Sequence, residues 1–233
     1  MITRRNNRRR ARLSPHGKRV KTKKRRHGGR PTRQRALQLS ERIVAAATEL
    51  FLARGYGLTS IEAIAGKAGV SKPTLYRRFP EKLNLFGLVI HRLVERWKSG
   101  VAEQSAAVGS PRQILEATAR RLLTIALSPD AVALYRIIAA EASRFPELAR
   151  LFHREATMRE GNPIVEMLRR QSEAGVLHIE DPVFAAEQFV HMIIGESRRR
   201  LLLALPAPNA RQIDERVRKS VDLFLYGYSS TRE

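Results

Sequence analysis

A run of cationic and hydroxyl-bearing residues follows a glycine near residue 70 and could form a contact surface for a polyanion. Gly69 gives the backbone freedom that a sharp turn needs. Ser71 can cap the helix that follows, because its hydroxyl can accept from a free N–H of the first turn. The outward side of that helix then carries donors suited to the base edges and phosphates of a major groove. These donors are Lys72, Thr74, Tyr76, Arg77 and Arg78.

A second short helix is predicted just before the turn, and it would hold the first in place. Thr59 is its candidate N-cap, and Glu62 three residues later completes a capping box. Apolar residues at helical spacing give both helices a side to bury. They are Ile61, Ile64, Ala65, Val70, Leu75 and Phe79. The two helices together predict a helix-turn-helix. The alternative is an ordinary helical hairpin whose cationic side only faces solvent.

The net charge of +22 is concentrated at the N-terminus. Residues 1–39 hold 16 of the 44 Lys and Arg residues and none of the 22 Asp and Glu residues. With so few apolar residues this segment cannot offset its ordering entropy, so we expect it to be a disordered arm. The arm could follow phosphates or enter a minor groove of DNA, with Arg30 and Arg33 as the candidates for contact in register. It could equally be a solvated tail or an overlong start of the reading frame.

The rest of the chain has the periodicity of helices throughout. The first helix is predicted over 40–55, with Ser40 as its cap and Gly55 at its end. No stretch shows the sustained alternation of a strand. We therefore predict an all-α fold of about nine helices, with a three-helix head over 40–86 and a second helical domain over 87–233.

The composition excludes several classes of site. The chain has no cysteine, which excludes disulfides, thiolate zinc sites and cysteine nucleophiles. No apolar run approaches the ~20 residues of a membrane span, and the charged N-terminus lacks the apolar segment of a secretory signal. A cytoplasmic location without a membrane partner is therefore expected. The histidines show no pair at metal-ligand spacing, so neither a metal nor a cofactor is expected.

Residues 40–86 resemble the DNA-binding domain of the TetR/AcrR family of bacterial transcriptional regulators. The resemblance is carried by FLARGY at 51–56, by TSIEAIAGKAGVSKPTLYRRF at 59–79, by Lys82 and by the GRP lead-in at 29–31. This motif is specific but covers only about a fifth of the chain. The remainder resembles the family in layout, with a long connecting helix and a helical effector domain. The resemblance therefore implies that 87–233 is a ligand-binding and dimerisation domain.

The resemblance implies roles for individual residues on DNA. Thr59 or Ser60 would hold a phosphate, and Tyr76 and Lys82 would contact the DNA backbone. The recognition helix would begin at its serine cap and contact base edges from its exposed early and middle positions. The cap and these positions are Ser71, Lys72, Pro73, Thr74 and Arg77. Many members have Gly in place of Pro73, so a main-chain donor is absent here and only apolar contact, for instance with a thymine methyl, is left.

The resemblance also implies a small-molecule pocket bordered by the connecting helix. Trp97 lies on the inward side of that helix, although a plain core role is the simpler interpretation. Tyr135 and His153 could line the pocket, but solvent contacts or core hydrogen bonds explain them as well.

The last two helices each carry an apolar stripe. In a monomer these stripes would be core, whereas in the family the helices form a four-helix dimer interface. The stripes consist of Phe184, Phe189, Met192, Ile193, Ile213, Val217, Val221 and Phe224.

The family resemblance implies a ligand-responsive repressor that binds a palindromic double-stranded DNA operator as a homodimer. An enzyme is not expected, because the sequence has no phosphate-binding glycine loop, nucleophile elbow or zinc pair. The alternative is a non-specific or architectural nucleic-acid-binding protein driven by the basic arm. That alternative would need no effector domain, yet about 140 residues follow the head.

Overall fold

The computed structural model of the protein describes residues 33–106, 109–158 and 161–228, and within these ranges it is all-helical. Its ten helices are α1 (Arg33–Leu58), α2 (Ile61–Ala68), α3 (Lys72–Arg78), α4 (Lys82–Ser105), α5 (Pro111–Ala126), α6 (Pro129–Glu141), α7 (Pro146–Ala156), α8 (Pro163–Glu173), α9 (Pro182–Leu202) and α10 (Ala210–Tyr228). The all-α prediction is confirmed. The count exceeds the predicted nine, and α7 and α8 are separate helices because Gly161, with φ 80°, and the Asn162 cap lie between them.

The first helix begins earlier than the sequence indicated. It starts at Arg33, whereas the predicted start and cap were at Ser40, which lies inside the helix. The expectation of disorder is therefore wrong for residues 33–39, and residues 1–32 of the arm lie outside the described ranges.

Contacts with the recognition helix explain the added turns. Arg78 of α3 donates from Nη2 to the carbonyl of Ala36 at 2.5 Å, and its Nε donates to the Ser40 hydroxyl. These bonds fix the start of α1 against α3. At the other end the prediction is confirmed, since Gly55 leaves helical geometry with φ 83° and ψ 170°.

Most helices of the second half begin at the caps that the sequence indicates. At α5, the Ser110 hydroxyl accepts from the Gln113 N–H at 3.3 Å, and the Gln113 side chain accepts from the Ser110 N–H at 2.9 Å. Ser128, Asn162 and Asp181 cap α6, α8 and α9, each directly before a proline. Proline suits this position because its missing N–H would have had no helical partner.

Two apolar cores stabilise the described part of the chain, and α4 contributes to both. The first joins the head to α4, α6 and α7 and includes Phe51, Phe86 and Leu134. The second lies among α4, α5, α8, α9 and α10 and includes Val101 and Phe189. Since α6 residues belong to the first core, the head is packed directly against the effector half.

The described helices were also compared with the length and hydropathy that a bilayer requires. None of them taken singly is long and apolar enough to cross a membrane, and only the bent pair α5 and α6, at 63° to one another, has sufficient length and apolar composition together.

Candidate nucleic-acid interface and effector cavity

The turn between α2 and α3 is closed by backbone and side-chain hydrogen bonds. Gly69 adopts φ 63° and ψ 40°, the left-handed geometry that ends α2, as the sequence predicted. The Val70 N–H donates to the Ala65 carbonyl at 2.9 Å. Arg42 of α1 donates from Nη2 to the Ala68 carbonyl at 2.6 Å, so a cation from another helix caps the C-terminus of α2.

The recognition helix α3 is anchored by its apolar side. Ser71 is its N-cap and accepts from the Thr74 N–H at 3.4 Å, while the two hydroxyl oxygens lie 2.8 Å apart. Leu75 is fully buried and Phe79 nearly so. The opposite side is open to solvent and carries Pro73, Tyr76 and Arg77 in addition to Lys72, whereas Thr74 is half-buried.

Lys72 is exposed but engaged within the head. Its ammonium forms an ion pair with Glu62 of α2 and lies 5.7 Å from the centre of the Tyr76 ring. The hydrogen bond between the pair raises the pKa of Lys72 and lowers the pKa of Glu62. A phosphate or a base edge would therefore have to compete with Glu62 for this lysine.

The phosphate contact predicted at the start of α2 is wrong for Thr59. Its side chain is buried, and its hydroxyl donates to the carbonyls of Gly55 at 2.7 Å and Leu50 at 3.2 Å. Ser60 is exposed and is the actual N-cap, accepting from the Ala63 N–H at 3.1 Å. The sequence could not distinguish Thr59 from Ser60 as the cap, because both carry a hydroxyl. The structure buries Thr59, and Ser60 is left to cap α2.

Two further cations that were expected on DNA are turned inward. Arg78 is held by α1, as described above. The ammonium of Lys82 donates to the carbonyls of Tyr56 at 2.9 Å and Thr59 at 3.2 Å, and lies 4.3 Å from the Tyr56 ring centre. Burial lowers the pKa of Lys82. The structure thus gives both residues bracing roles, and their predicted contacts with DNA stay predictions.

The two arginines of the lead-in are not placed by the structure. Arg30 lies outside the described residues. Arg33 is the first residue of α1, and only its backbone is described. Their contact with DNA stays a prediction.

A cavity of about 380 Å³ lies in the effector half and is lined by α4 to α9 and by the segment before α8. Trp97, Tyr135 and His153, the three residues predicted for a ligand pocket, all line it. Trp97 also packs against the first core, so it lines the cavity and is at the same time part of the core packing. His191 of α9 also lines the cavity, whereas Arg120 and Arg121 of α5 do not.

The polar end of the cavity contains a residue that the sequence analysis missed. Arg198 of α9 lines the cavity and donates from Nη1 to the Tyr135 hydroxyl oxygen at 2.9 Å. Its guanidinium also lies 4.8 Å from the centre of the Tyr135 ring. Nothing in the sequence marks this arginine, because it lies within a run of three arginines near the end of a helix, where arginines are ordinarily solvated.

The apolar stripes of α9 and α10 lie mostly inside the protomer. Phe189, Ile193, Val217, Val221 and Phe224 are buried in the second core. Phe189 and Phe224 contact each other edge to face, with ring centres 5.0 Å apart. For these five residues the predicted place between subunits is wrong, because α5 and α8 of the same chain cover the stripes.

Other apolar residues of the same two helices face outward. Phe184 alone of the predicted set is exposed, at 52%, and Met192 and Ile213 are half-buried. Leu223 is 64% exposed and Tyr226 is 85% exposed, although neither was singled out from the sequence. These residues form the outer apolar face of α9 and α10.

One group of potential metal ligands occurs within the described ranges. His91 and Glu95 on α4 and Glu155 on α7 bring their ligand atoms within 4.8 Å of one another, and His91 Nδ1 lies 3.0 Å from a Glu155 oxygen. Spacing between histidines could not reveal this group, because its members come from two helices and include a single histidine. All three are at least partly exposed, and Glu95 also pairs with Lys98.

Two family profiles match the chain. One is described as bacterial regulatory proteins of the tetR family and matches residues 43–89. The other is described as the C-terminal domain of an AefR-like transcriptional repressor and matches residues 113–230, just over half of the 233 residues. The chain belongs to the TetR family of transcriptional regulators. The head and effector half of this TetR-family protein therefore correspond to the two matched profiles.

Solved structures and a curated relative agree with this assignment. The crystal structure of a protein from Mesorhizobium loti, described as a TetR-family transcriptional regulator, superposes with a TM-score of 0.75. The two sequences are 28% identical, and the match covers 84% of this chain and 98% of that one. The flavonoid-responsive regulator FrrA has 33% identity and a TM-score of 0.70, covering 84% and 99%. The transcriptional activator FasR of Mycolicibacterium smegmatis is 41% identical over 75 residues, which span 32% of this chain and 34% of FasR.

Proposed function

We propose that this TetR-family regulator is a ligand-responsive repressor that binds a palindromic operator as a homodimer. The observation that carries the proposal is the recognition helix, whose buried Leu75 fixes its orientation while Pro73, Tyr76 and Arg77 stay open to solvent. A helix held in this way can enter a major groove and contact base edges. Because it acts on DNA in the bacterial cell, we place it in the cytoplasm, at the nucleoid when bound.

Dimerisation is supported by the outer apolar face of α9 and α10. Exposed aromatic and leucine side chains that lie close together mark an association surface more often than chance exposure does. Two heads on one operator also double the base contacts that a seven-residue α3 can make. We therefore expect Leu223 and Tyr226 between subunits, in place of the buried residues first predicted.

Ligand response is supported by the path from the cavity to the head. Helix α4 begins at the head with Lys82 and lines the cavity with Trp97. Helix α6 lines it with Tyr135, and at its end the carboxylate of Glu141 accepts from the Gly57 N–H at 2.8 Å. A ligand that shifts α4 or α6 would therefore change the support of the head. FrrA, described as flavonoid-responsive, shows that a similar chain responds to a small molecule.

The C-terminal family profile describes a repressor, and it therefore supports repression as the direction of regulation. FasR is described as an activator, but its match spans only 75 residues. Activation therefore remains the outcome that a reporter assay would have to exclude.

The proposal is tested by selecting bound sequences from random DNA with the full chain. A palindromic consensus with half-sites about one helical turn apart is expected. Leu223→Glu should then bind the consensus only at much higher protein concentration and run as a monomer in light scattering, with Thr124→Glu at an exposed position of α5 as a control for added charge. A consensus with one half-site, or a monomeric variant with unchanged affinity, would contradict the dimer.

The architectural alternative makes a different prediction. Binding driven by the basic residues of 1–39 would show no consensus and would disappear at moderate salt for all sequences together. Retention of one preferred site at that salt concentration excludes it.

A further inference from the structure

The cation at the polar end of the cavity has no protein carboxylate to neutralise it. Among the described residues, none of the ion pairs includes Arg198, whereas its neighbour Arg199 pairs with Glu196 at 2.7 Å. Glu187 also lines the cavity, but it lies eleven residues earlier on α9, which places it about 16 Å away along the helix axis. Arg198 therefore lines the cavity as an arginine without an ion pair, and only one of its five N–H donors is used in the bond to Tyr135.

The partner of Arg198 is itself left with a free donor. Arg198 donates to the Tyr135 oxygen, so the Tyr135 hydroxyl hydrogen is not used in that bond. No other acceptor for it occurs among the described residues. Two groups with unused donors thus lie 2.9 Å apart in the cavity lining, and an oxygen with negative charge is the group that would satisfy both.

Much of the rest of the cavity wall is apolar. Val94 and Trp97 of α4, Phe152 of α7 and Ile194 of α9 contribute to it. A cavity of this kind favours a ligand with a hydrophobic body, and a few convergent polar groups then fix its orientation. Lys98 is a second cation of the lining, but it pairs with Glu95, so a buried anionic group is best neutralised against Arg198.

We propose that the cavity binds an apolar monocarboxylate, with the carboxylate held by Arg198 and the Tyr135 hydroxyl and the hydrophobic body between Trp97 and Ile194. This inference rests on the proposed ligand response of the same cavity and adds the chemical class of the ligand. An acyl chain and an aromatic ring system could each supply the body, and both share the anionic head.

The test is calorimetric titration of the full chain with two acids and their uncharged counterparts, which are decanoate with 1-decanol and 2-naphthoate with methyl 2-naphthoate. Arg198→Gln should weaken binding of whichever acid binds by roughly 10- to 100-fold, the range for a lost charge-assisted hydrogen bond. Tyr135→Phe should weaken it less, and Arg198→Lys should retain part of the affinity. Binding of decanoate alone would identify the body as an acyl chain, and binding of naphthoate alone would identify it as aromatic.

Arg199→Gln is the matched control, because it removes an adjacent arginine that does not line the cavity, and it should bind like the wild type. Circular dichroism of each variant shows that the fold is retained. Equal affinity of wild type for acids and uncharged counterparts, unchanged binding by Arg198→Gln, or no binding of either acid at millimolar concentration would each overturn the inference.

A parallel operator shift assay separates this inference from the proposed function. Arg198-dependent binding of an acid with no effect on DNA would leave the inference standing and contradict the ligand response. Release of DNA by a ligand whose effect survives Arg198→Gln would support the ligand response and overturn the inference.

Discussion

The head and the effector half hold their helices in different ways. In the head, helix ends are joined across elements by long polar side chains. Arg42 caps α2 from α1, Arg78 ties α3 to the start of α1, and Lys82 of α4 binds carbonyls at the end of α1. The three helices of the head are thereby fixed relative to one another by directional bonds in addition to their apolar core.

In the effector half the polar bonds at helix starts are local. Ser110, Ser128 and Asp181 each cap the helix that they begin. Polar bonds also cross between its helices, since Arg136 of α6 donates to the Leu201 carbonyl of α9 and Arg170 of α8 donates to the Ser105 carbonyl of α4. The effector half differs in that its helices surround an apolar-walled cavity of about 380 Å³, which leaves the helices that line it room to shift. The difference suits a rigid contact surface attached to a domain that can respond to a ligand.

The largest effect should come from removing packing in the effector half. Phe189→Ala is expected to lower the free energy of unfolding by about 3–5 kcal/mol, because a large buried ring leaves a cavity next to Phe224. Chemical denaturation measures this loss. Leu203→Ala, at a position 59% exposed, is the control and should change stability by less than about 0.5 kcal/mol. Equal losses for the two variants would mean that Phe189 is not part of the protomer core.

A smaller loss is expected from cutting one bond of the head. Lys82→Met keeps the length of the side chain but leaves the carbonyls of Tyr56 and Thr59 without their donor. The free energy of unfolding should fall by about 1–3 kcal/mol. Lys219→Met, which removes an exposed lysine paired with Glu215, should leave it unchanged within error. If Lys82→Met weakened DNA binding with no loss of stability, the result would support the phosphate contact predicted for this residue.

Local sequence signals predicted the helix-turn-helix well because its determinants are close in the chain. The Ser71 cap, the Gly69 turn and the buried Leu75 all lie within residues 69–75. The direction of Arg78 and Lys82 could not be predicted, since it depends on carbonyls of α1 that are distant in sequence. Outside the head, α5, α6 and α9 begin at Ser-Pro and Asp-Pro pairs, which are equally local signals.

The face of a long helix was harder to predict than its existence. An apolar stripe on α9 or α10 has the same periodicity whether it packs against α5 of its own chain or against a second subunit. The pattern therefore could not separate Phe224, which is buried, from Leu223, which is exposed. Arg198 was missed for a related reason, because only the arrangement of six helices shows that it faces a cavity.

The contact surface of the head should respond in base preference more than in stability. Arg77→Ala is expected to cost about 1–3 kcal/mol at particular operator positions and little at others, because a side chain that reads a base edge acts only there. Tyr76→Phe should weaken binding evenly across sequences, since phosphates carry no base identity. Affinities for single-base variants of the selected operator distinguish the two. An even loss for Arg77→Ala would assign that residue to the DNA backbone.

The smallest effect is expected from the ion pair between α2 and α3. Glu62 and Lys72 are both about half exposed, and an exposed ion pair of this kind adds little to stability. Glu62→Gln should therefore have the same free energy of unfolding as the wild type. The substitution should nevertheless strengthen DNA binding by less than tenfold, because it removes a negative charge beside the recognition helix and releases Lys72 for a phosphate. One added phosphate contact would steepen the dependence of log K on log salt by about 0.9. Glu49→Gln is the matched control, because Glu49 pairs with Lys67 away from α3. Operator affinity measured over a salt series decides the question, and identical slopes for Glu62→Gln and wild type would show that Lys72 does not contact DNA even when it is released.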